Sequence, residues 1–168
     1  LARTAAPVLA SHSGARAVCD HPRNLPDDLL KAIADNGGVI QVCMVPSFLT
    51  KYEMPPEAKA AWSAFREKYR DYEQLPEEQK QQARNEWGEL NEQYPRGRAT
   101  VSDFVDHIDH IVQVTGIDHV GIGSDFDGGG SLQDCQDVSQ LPAITAELLK
   151  RGYSEEDVLK IWGGNFWR

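Results

Sequence analysis

Three short apolar runs, each ending abruptly in polar or glycine-containing sequence, constrain this chain more than any other feature. Pro7-Val8-Leu9-Ala10-Ser11 stops at His12-Ser13-Gly14, Val39-Ile40-Gln41-Val42-Cys43-Met44-Val45 follows Asn36-Gly37-Gly38, and Asp118 to Ser124 leads into Asp125-Phe126-Asp127-Gly128-Gly129-Gly130. Runs that are continuous rather than alternating in apolar character suit strands covered on both faces of a parallel sheet. Parallel strands need crossovers of a dozen or more residues, and helical patterns fill the gaps. Leu29, Leu30 and Ile33 form the stripe of a helix that opens at Asn24-Leu25-Pro26-Asp27-Asp28, with proline in its first turn and acids near its positive end. Ser102 starts another, carrying Phe104, Val105, Ile108, Ile111 and Val112 and ending at Gly116. Ser139 to Arg151 and Ser154 to Trp162 make two more, the latter with a Ser154-Glu155-Glu156-Asp157 start like a capping box. This alternation predicts an α/β fold and favours a (β/α)8 TIM-like barrel, with an open sheet as the alternative.

Between about residues 55 and 98 the character changes. Ala58 to Tyr72 and Pro76 to Tyr94 are charged, with Trp62, Phe65, Tyr69, Tyr72 and Trp87 recurring at mostly helical intervals. Nine basic and ten acidic residues between Lys51 and Arg98 nearly cancel, so the net charge of −9 is carried elsewhere. This stretch reads as a helical insertion on a strand-to-helix connection. A lid, a subunit contact of a homodimer and a plain solvated hairpin all remain open for it.

The net charge argues against a nucleic-acid partner, which requires a basic face to displace counterions. No stretch reaches the roughly 18 consecutive apolar residues of a membrane span. Cys19, Cys43 and Cys135 are odd in number and show no C-x-x-C spacing, so they read as buried thiols rather than a disulfide framework or a zinc knuckle. The opening Leu1-Ala2-Arg3-Thr4 has neither an initiator Met nor a signal-peptide layout. The expectation is a chain cut in the middle, and the compartment cannot be read from it.

In parallel α/β folds the reactive groups gather at the C-terminal ends of the strands. His12 follows the first apolar run, where a neutral imidazole could hold zinc or manganese or simply be hydrogen-bonded in a loop. Asp125 and Asp127 follow the third run; a carboxylate there could ligate a metal, relay a proton, or shape a turn. Arg23, just before a helix, could grip a carboxylate through two parallel hydrogen bonds or pair on the surface with Asp27 or Asp28. Asp106-His107-Ile108-Asp109-His110 contains a literal His-x-Asp, but residues two apart on a helix do not converge, and a surface pair of His110 with Asp106 is expected instead. His119 opens its strand and should lie at the face away from chemistry.

Taken together, these segments resemble the metal-dependent dipeptidases typified by renal (membrane) dipeptidase. The resemblance rests on Ser11-His12-Ser13 with Ala15-Arg16-Ala17-Val18, on Pro22-Arg23-Asn24-Leu25-Pro26-Asp27-Asp28, on Asp106 to His110, on Gly116 and Gly121 to Gly128, and on the ending Gly164 to Arg168. It implies a (β/α)8-type barrel with two zinc ions bridged by a hydroxide, acting on dipeptides. By the same resemblance His12 is a ligand of the second metal, Arg23 binds the free carboxylate of the dipeptide, and Asp125 handles the proton during attack and amine departure. The family's first-strand His-x-Asp pair, its bridging Glu and a further upstream His have no counterpart here. A catalytic zinc takes about three protein ligands and such a barrel roughly 250 residues. The chain therefore reads as a C-terminal half without a complete metal site, the activity belonging to the complete protein. A non-catalytic peptide-binding relative and another barrel amidohydrolase are the alternatives.

Overall fold

The computed structural model describes residues 4–94 and 99–167. Arg168, the last residue of the family-like ending, and the close of the charged stretch at 95–98 lie outside them. Three strands, β1 (Leu9–Ser13), β2 (Val39–Val42) and β3 (Val120–Ile122), form one parallel sheet in the order β1-β2-β3. The helices are α1 (Asp27–Asp35), α2 (Pro46–Leu49), α3 (Pro56–Lys68), α4 (Glu77–Gln93), α5 (Val101–Thr115), α6 (Pro142–Lys150), α7 (Glu155–Leu159) and a short α8 (Asn165–Trp167). None of the helices among the described residues is long and apolar enough to cross a membrane.

The chain divides into two compact units: Leu1–Lys51 with Arg98–Arg168, and Tyr52–Gly97. In the first, the core forms where α5 meets α1, α6 and strands β2 and β3. Thr100 caps α5 by accepting from the Asp103 N–H while Asp103 accepts in return, so the helix starts at Val101 rather than Ser102. Its buried face carries Phe104, Val105, Ile108 and Ile111, all fully buried, against Leu30 of α1, Ile40 and Val42 of β2, and Leu148 of α6. Ser154 and Asp157 make the capping box expected at α7. In the second unit α3 packs on α4 through aromatic rings: Trp62 lies edge-on to Phe65 at 5.9 Å and to Trp87 at 6.4 Å.

The structure departs from the sequence expectations at the ends of elements. The first strand runs on through His12 and Ser13, while the second and third are shorter than their apolar runs; residues 117–119 form a tight turn. Coverage is also uneven. β2, hydrogen-bonded on both edges, is buried at Val39, Ile40 and Val42, whereas β1 lies at the sheet margin with Leu9 43% exposed. Leu29, expected in the apolar stripe of α1, is 42% exposed, and Leu30 with Ile33 carries the burial. The sheet curls strongly at its C-terminal edge: a Cβ on Gly123, just beyond β3, would fall 2.1 Å from the Ser11 carbonyl oxygen of β1. Glycine is needed there for close approach.

The expected pair of His110 with Asp106 is not formed. His110 Nε2 lies 2.8 Å from Asp27 Oδ1 on α1, and Asp106 is taken by Arg151. The turn after α6 brings Arg151 back onto α5, where its guanidinium donates to Asp106 and Asp109 at 2.6 Å each, to Glu147 at 2.9 Å and to the Ser102 carbonyl at 2.8 Å. Arg151 is largely buried but Asp106 and Asp109 are half exposed, so water screens part of the attraction. Arg151→Ala should therefore lower unfolding stability by about 1–2 kcal/mol, less than for a fully buried pair, and Arg151→Lys should recover only part because it lacks the fork. Urea unfolding midpoints of the variants check this; a midpoint unchanged in Arg151→Ala would deny the network a stabilising role.

Candidate active site

Beyond the regular strands the C-terminal edge of the sheet is still held together by backbone bonds. Cys43 N–H donates to the Ser13 carbonyl at 2.7 Å, Gly123 N–H to Val42 at 2.9 Å and Met44 N–H to Ser124 at 3.2 Å. This ladder sets Ser13, Cys43 and Ser124 at one rim, and the residues singled out from the sequence lie beside them.

His12 lies in β1 one residue before that rim, its side chain exposed and its Nδ1 2.8 Å from Ser11 Oγ. A Nδ1–H donated to the hydroxyl would leave the Nε2 lone pair for a metal. Arg23 is carried by the loop from Gly14 to Leu25, which folds back on itself: Leu25 N–H donates to Gly14, Arg16 N–H to Leu25, and Ser13 Oγ to the Arg23 carbonyl, all at 2.8 Å. The guanidinium stands 5.5 Å over the Phe48 ring of α2, which in turn stacks on His21 at 4.5 Å. It forms no ion pair among the described residues, so the surface pair with Asp27 or Asp28 is not made; Asp27 is engaged by His110. Asp125 follows β3 in a left-handed backbone conformation, φ 60° and ψ 37°. Its carbonyl accepts from Gly128 N–H at 3.0 Å and Gly130 N–H at 2.7 Å. A Cβ on Gly128 would lie 2.2 Å from Asp125 Oδ1, so the carboxylate occupies space that only glycine leaves. Asp127 sits in the following turn, exposed.

Cys19, Cys43 and Cys135 are buried thiols, as the sequence suggests, and one of them touches Asp125. Cys43, fully buried just after β2, has its Sγ 3.7 Å from Asp125 Oδ2. Burial pushes its thiol up to about 11, the Asp125 charge adding to the rise and the Arg23 charge opposing it. Both charges thus act on one buried sulfur. His12 shares the rim, yet no hydrogen bond or ion pair among the described residues joins it to Arg23 or Asp125.

Two further residues shape the site. Asn24, buried, donates from Nδ2 to the carbonyls of Cys19 at 2.9 Å and Phe48 at 2.6 Å, joining the Arg23 loop to α2. His107 is fully buried on α5, with Nδ1 accepting from Ala15 N–H at 2.9 Å and Nε2 donating to the Leu49 carbonyl at 3.1 Å. Both ring nitrogens are used in holding the loop and α2. His119 donates from Nδ1 to the Gly38 carbonyl at 2.8 Å, at the opposite, N-terminal end of the strands. Nothing in the local sequence marked the contacts of Cys43 or Phe48, because these depend on which neighbours the fold supplies.

Zinc was the metal implied by the resemblance, and the donor set can be tested against it. Catalytic zinc takes about three protein ligands, but no group of three or more His, Cys, Asp or Glu side chains converges among the described residues. His12 offers one nitrogen, and the residues present do not fit a complete zinc centre.

The charged groups near the C-terminal ends of the strands lie at the face where parallel α/β folds carry their sites. The whole chain, residues 1–168, matches the model of the membrane dipeptidase family (peptidase family M19), and it belongs to that family. It is 32% identical over 166 residues to Dipeptidase aclJ of Aspergillus oryzae, covering 98% of this chain and 29% of that protein. It is 32% identical over 164 residues to human Dipeptidase 3, covering 97% of this chain and 25% of the relative. Among solved structures, the probable dipeptidase PvdM from Pseudomonas aeruginosa superposes with a TM-score of 0.73 at 36% identity, covering 98% of this chain and 44% of that one. A metallo peptidase from Rhodobacter sphaeroides, liganded with a phosphinate mimic of the dipeptide L-Ala-D-Ala, gives 0.67 at 28% identity, covering 96% and 35%. The chain thus spans less than a third of the length of these two curated relatives.

The buried His107 makes the site region sensitive to acid. Desolvation holds its imidazole below the ordinary histidine range, opposed by its bond to Leu49 and by Asp106 and Asp103, while His110 adds to the lowering. The unfolded chain takes up this proton at its ordinary value near 6.5 and the folded chain resists it. Below that pH the unfolded state holds more protons, so stability falls with falling pH until the folded-state value is passed, at a slope of at most about 1.4 kcal/mol per pH unit. Unfolding stability followed from pH 7.5 to 5 should show this decline, and His107→Gln should flatten it; equal slopes in both proteins would remove His107 as the source.

Proposed function

We propose that this chain is a portion of a metal-dependent dipeptidase and that it contributes His12 as one metal ligand, Arg23 as the binder of the dipeptide's free carboxylate and Asp125 as the proton-handling acid. The observation that carries this reading is the Arg23 guanidinium standing over the Phe48 ring and free of ion pairs among the described residues, with the Asp125 carboxylate held just beyond β3 beside Cys43. A cation without a carboxylate partner, held over an aromatic ring, is suited to a substrate carboxylate. A carboxylate at the same rim can take a proton from the attacking oxygen and give it to the departing amine nitrogen. Activation of that oxygen belongs to the metals, whose remaining ligands must come from outside these residues.

The sheet in this reading is part of a (β/α)8 barrel. Support comes from its parallel order, its strong curl at Gly123 and the exposed Leu9 on its β1 margin, where a further strand would lie. The alternative, a peptide-binding relative without catalysis, turns on ligands that lie outside these residues.

In the complete protein, Arg23→Ala should raise KM for an unblocked dipeptide by about 10- to 100-fold, as expected for loss of charge-assisted hydrogen bonds, and leave metal content unchanged. A dipeptide amide, lacking the carboxylate, should not distinguish the two proteins. Asp125→Asn should lower kcat by about 10²–10⁴-fold with metals retained. Steady-state kinetics with metal analysis decides: unaltered KM or kcat removes the assigned role, and a metal-free, inactive complete protein that still binds dipeptides supports the alternative.

A further inference from the structure

The Asp125 carboxylate is asymmetric. Oδ2 faces the Cys43 sulfur at 3.7 Å, whereas Oδ1 makes no hydrogen bond among the described residues, the carboxylate sitting in the space that Gly128 leaves by lacking a Cβ. Cys43 is fully buried at the end of β2, its backbone held by the bond to Ser13, and close packing limits the rotamers open to its sulfur. The Asp125 backbone is held in turn by the two N–H groups on its carbonyl. The two Cα positions are thus fixed, and packing keeps the sulfur beside the carboxylate.

We propose that Cys43 is a positioning residue for Asp125, its S–H donating to Oδ2 and leaving Oδ1 as the oxygen that exchanges the proton. This rests on the dipeptidase reading given above. During hydrolysis Oδ1 accepts a proton from the attacking oxygen and passes it to the amine nitrogen. One O–H bond is lost as the C–O bond forms, one N–H bond is gained as the C–N bond breaks, and the carboxylate returns unchanged. The thiol serves only as a donor: burial and the neighbouring carboxylate keep it protonated through neutral pH. A serine hydroxyl can replace that function, whereas alanine and valine cannot.

The test is steady-state hydrolysis of an alanyl dipeptide by the complete, metal-loaded protein carrying Cys43→Ala, Cys43→Val or Cys43→Ser, alone and combined with Asp125→Asn. Loss of one hydrogen bond to a carboxylate should lower kcat by about three- to tenfold in the alanine and valine variants, with KM unchanged because Arg23 is untouched. Cys43→Ser should recover most of the rate, and in the Asp125→Asn background Cys43→Ala should have no further effect. Equal losses in the serine and alanine variants, or an undiminished loss in the Asp125→Asn background, would show that Cys43 acts through packing alone and would overturn the proposal. If Asp125→Asn itself retains normal turnover, the dipeptidase role of Asp125 falls first; if it is impaired while Cys43→Ala turns over normally, only the role of Cys43 falls.

Discussion

A strand paired in parallel on both edges brings its neighbours' C-terminal ends to the same side of the sheet, and β2 does this for β1 and β3. Its burial at Val39, Ile40 and Val42, on both faces of the strand, makes the pairing hard to shift, since a slip of one residue would exchange side chains between two close-packed faces and bring Gln41 into one of them. Everything at the rim follows from that register. Ser13, Cys43 and Ser124 come into line, and the loop leaving β3 places Asp125 beside the Cys43 sulfur although the two lie far apart in the chain.

The positions of the strands and of the main helices were legible because burial leaves a periodic trace. The capping box at Ser154 and the stripe of α5 are local, and local signals survive in sequence. Strand ends were less legible. His12 lies within β1 because pairing with β2 extends the strand past its apolar run, and pairing is a property of two segments rather than one. The apolar run before it suggested coverage on both faces, yet β1 is marginal and Leu9 is exposed. Only strand order reveals which run is central.

For the candidate site, the sequence marked where polar and charged groups stand near the strand ends, at His12, Arg23 and Asp125, and the roles given to them are those proposed above. What surrounds them was not marked. His107 and His110 lie three apart on α5 and look alike in sequence, but one is sealed in the core between Ala15 and Leu49 while the other reaches across to Asp27 on α1. The difference is made by which face of α5 meets the sheet and which meets α1. Phe48 and His21 form a ring stack beneath Arg23 through α2, a four-residue helix too short to leave a periodic mark. Side chains that orient others carry no chemistry of their own to betray them.

Asp125 is the one non-glycine residue among those described that adopts a positive φ. Aspartate tolerates this conformation better than most residues but still at an expense of about 1 kcal/mol relative to glycine. The position therefore opposes two kinds of selection. A search for hardier variants would drift towards glycine there and discard the carboxylate. A thermally improved descendant of this protein would in that way keep its fold and shed the group to which proton handling is assigned above as a proposal, a change that no assay of folding registers.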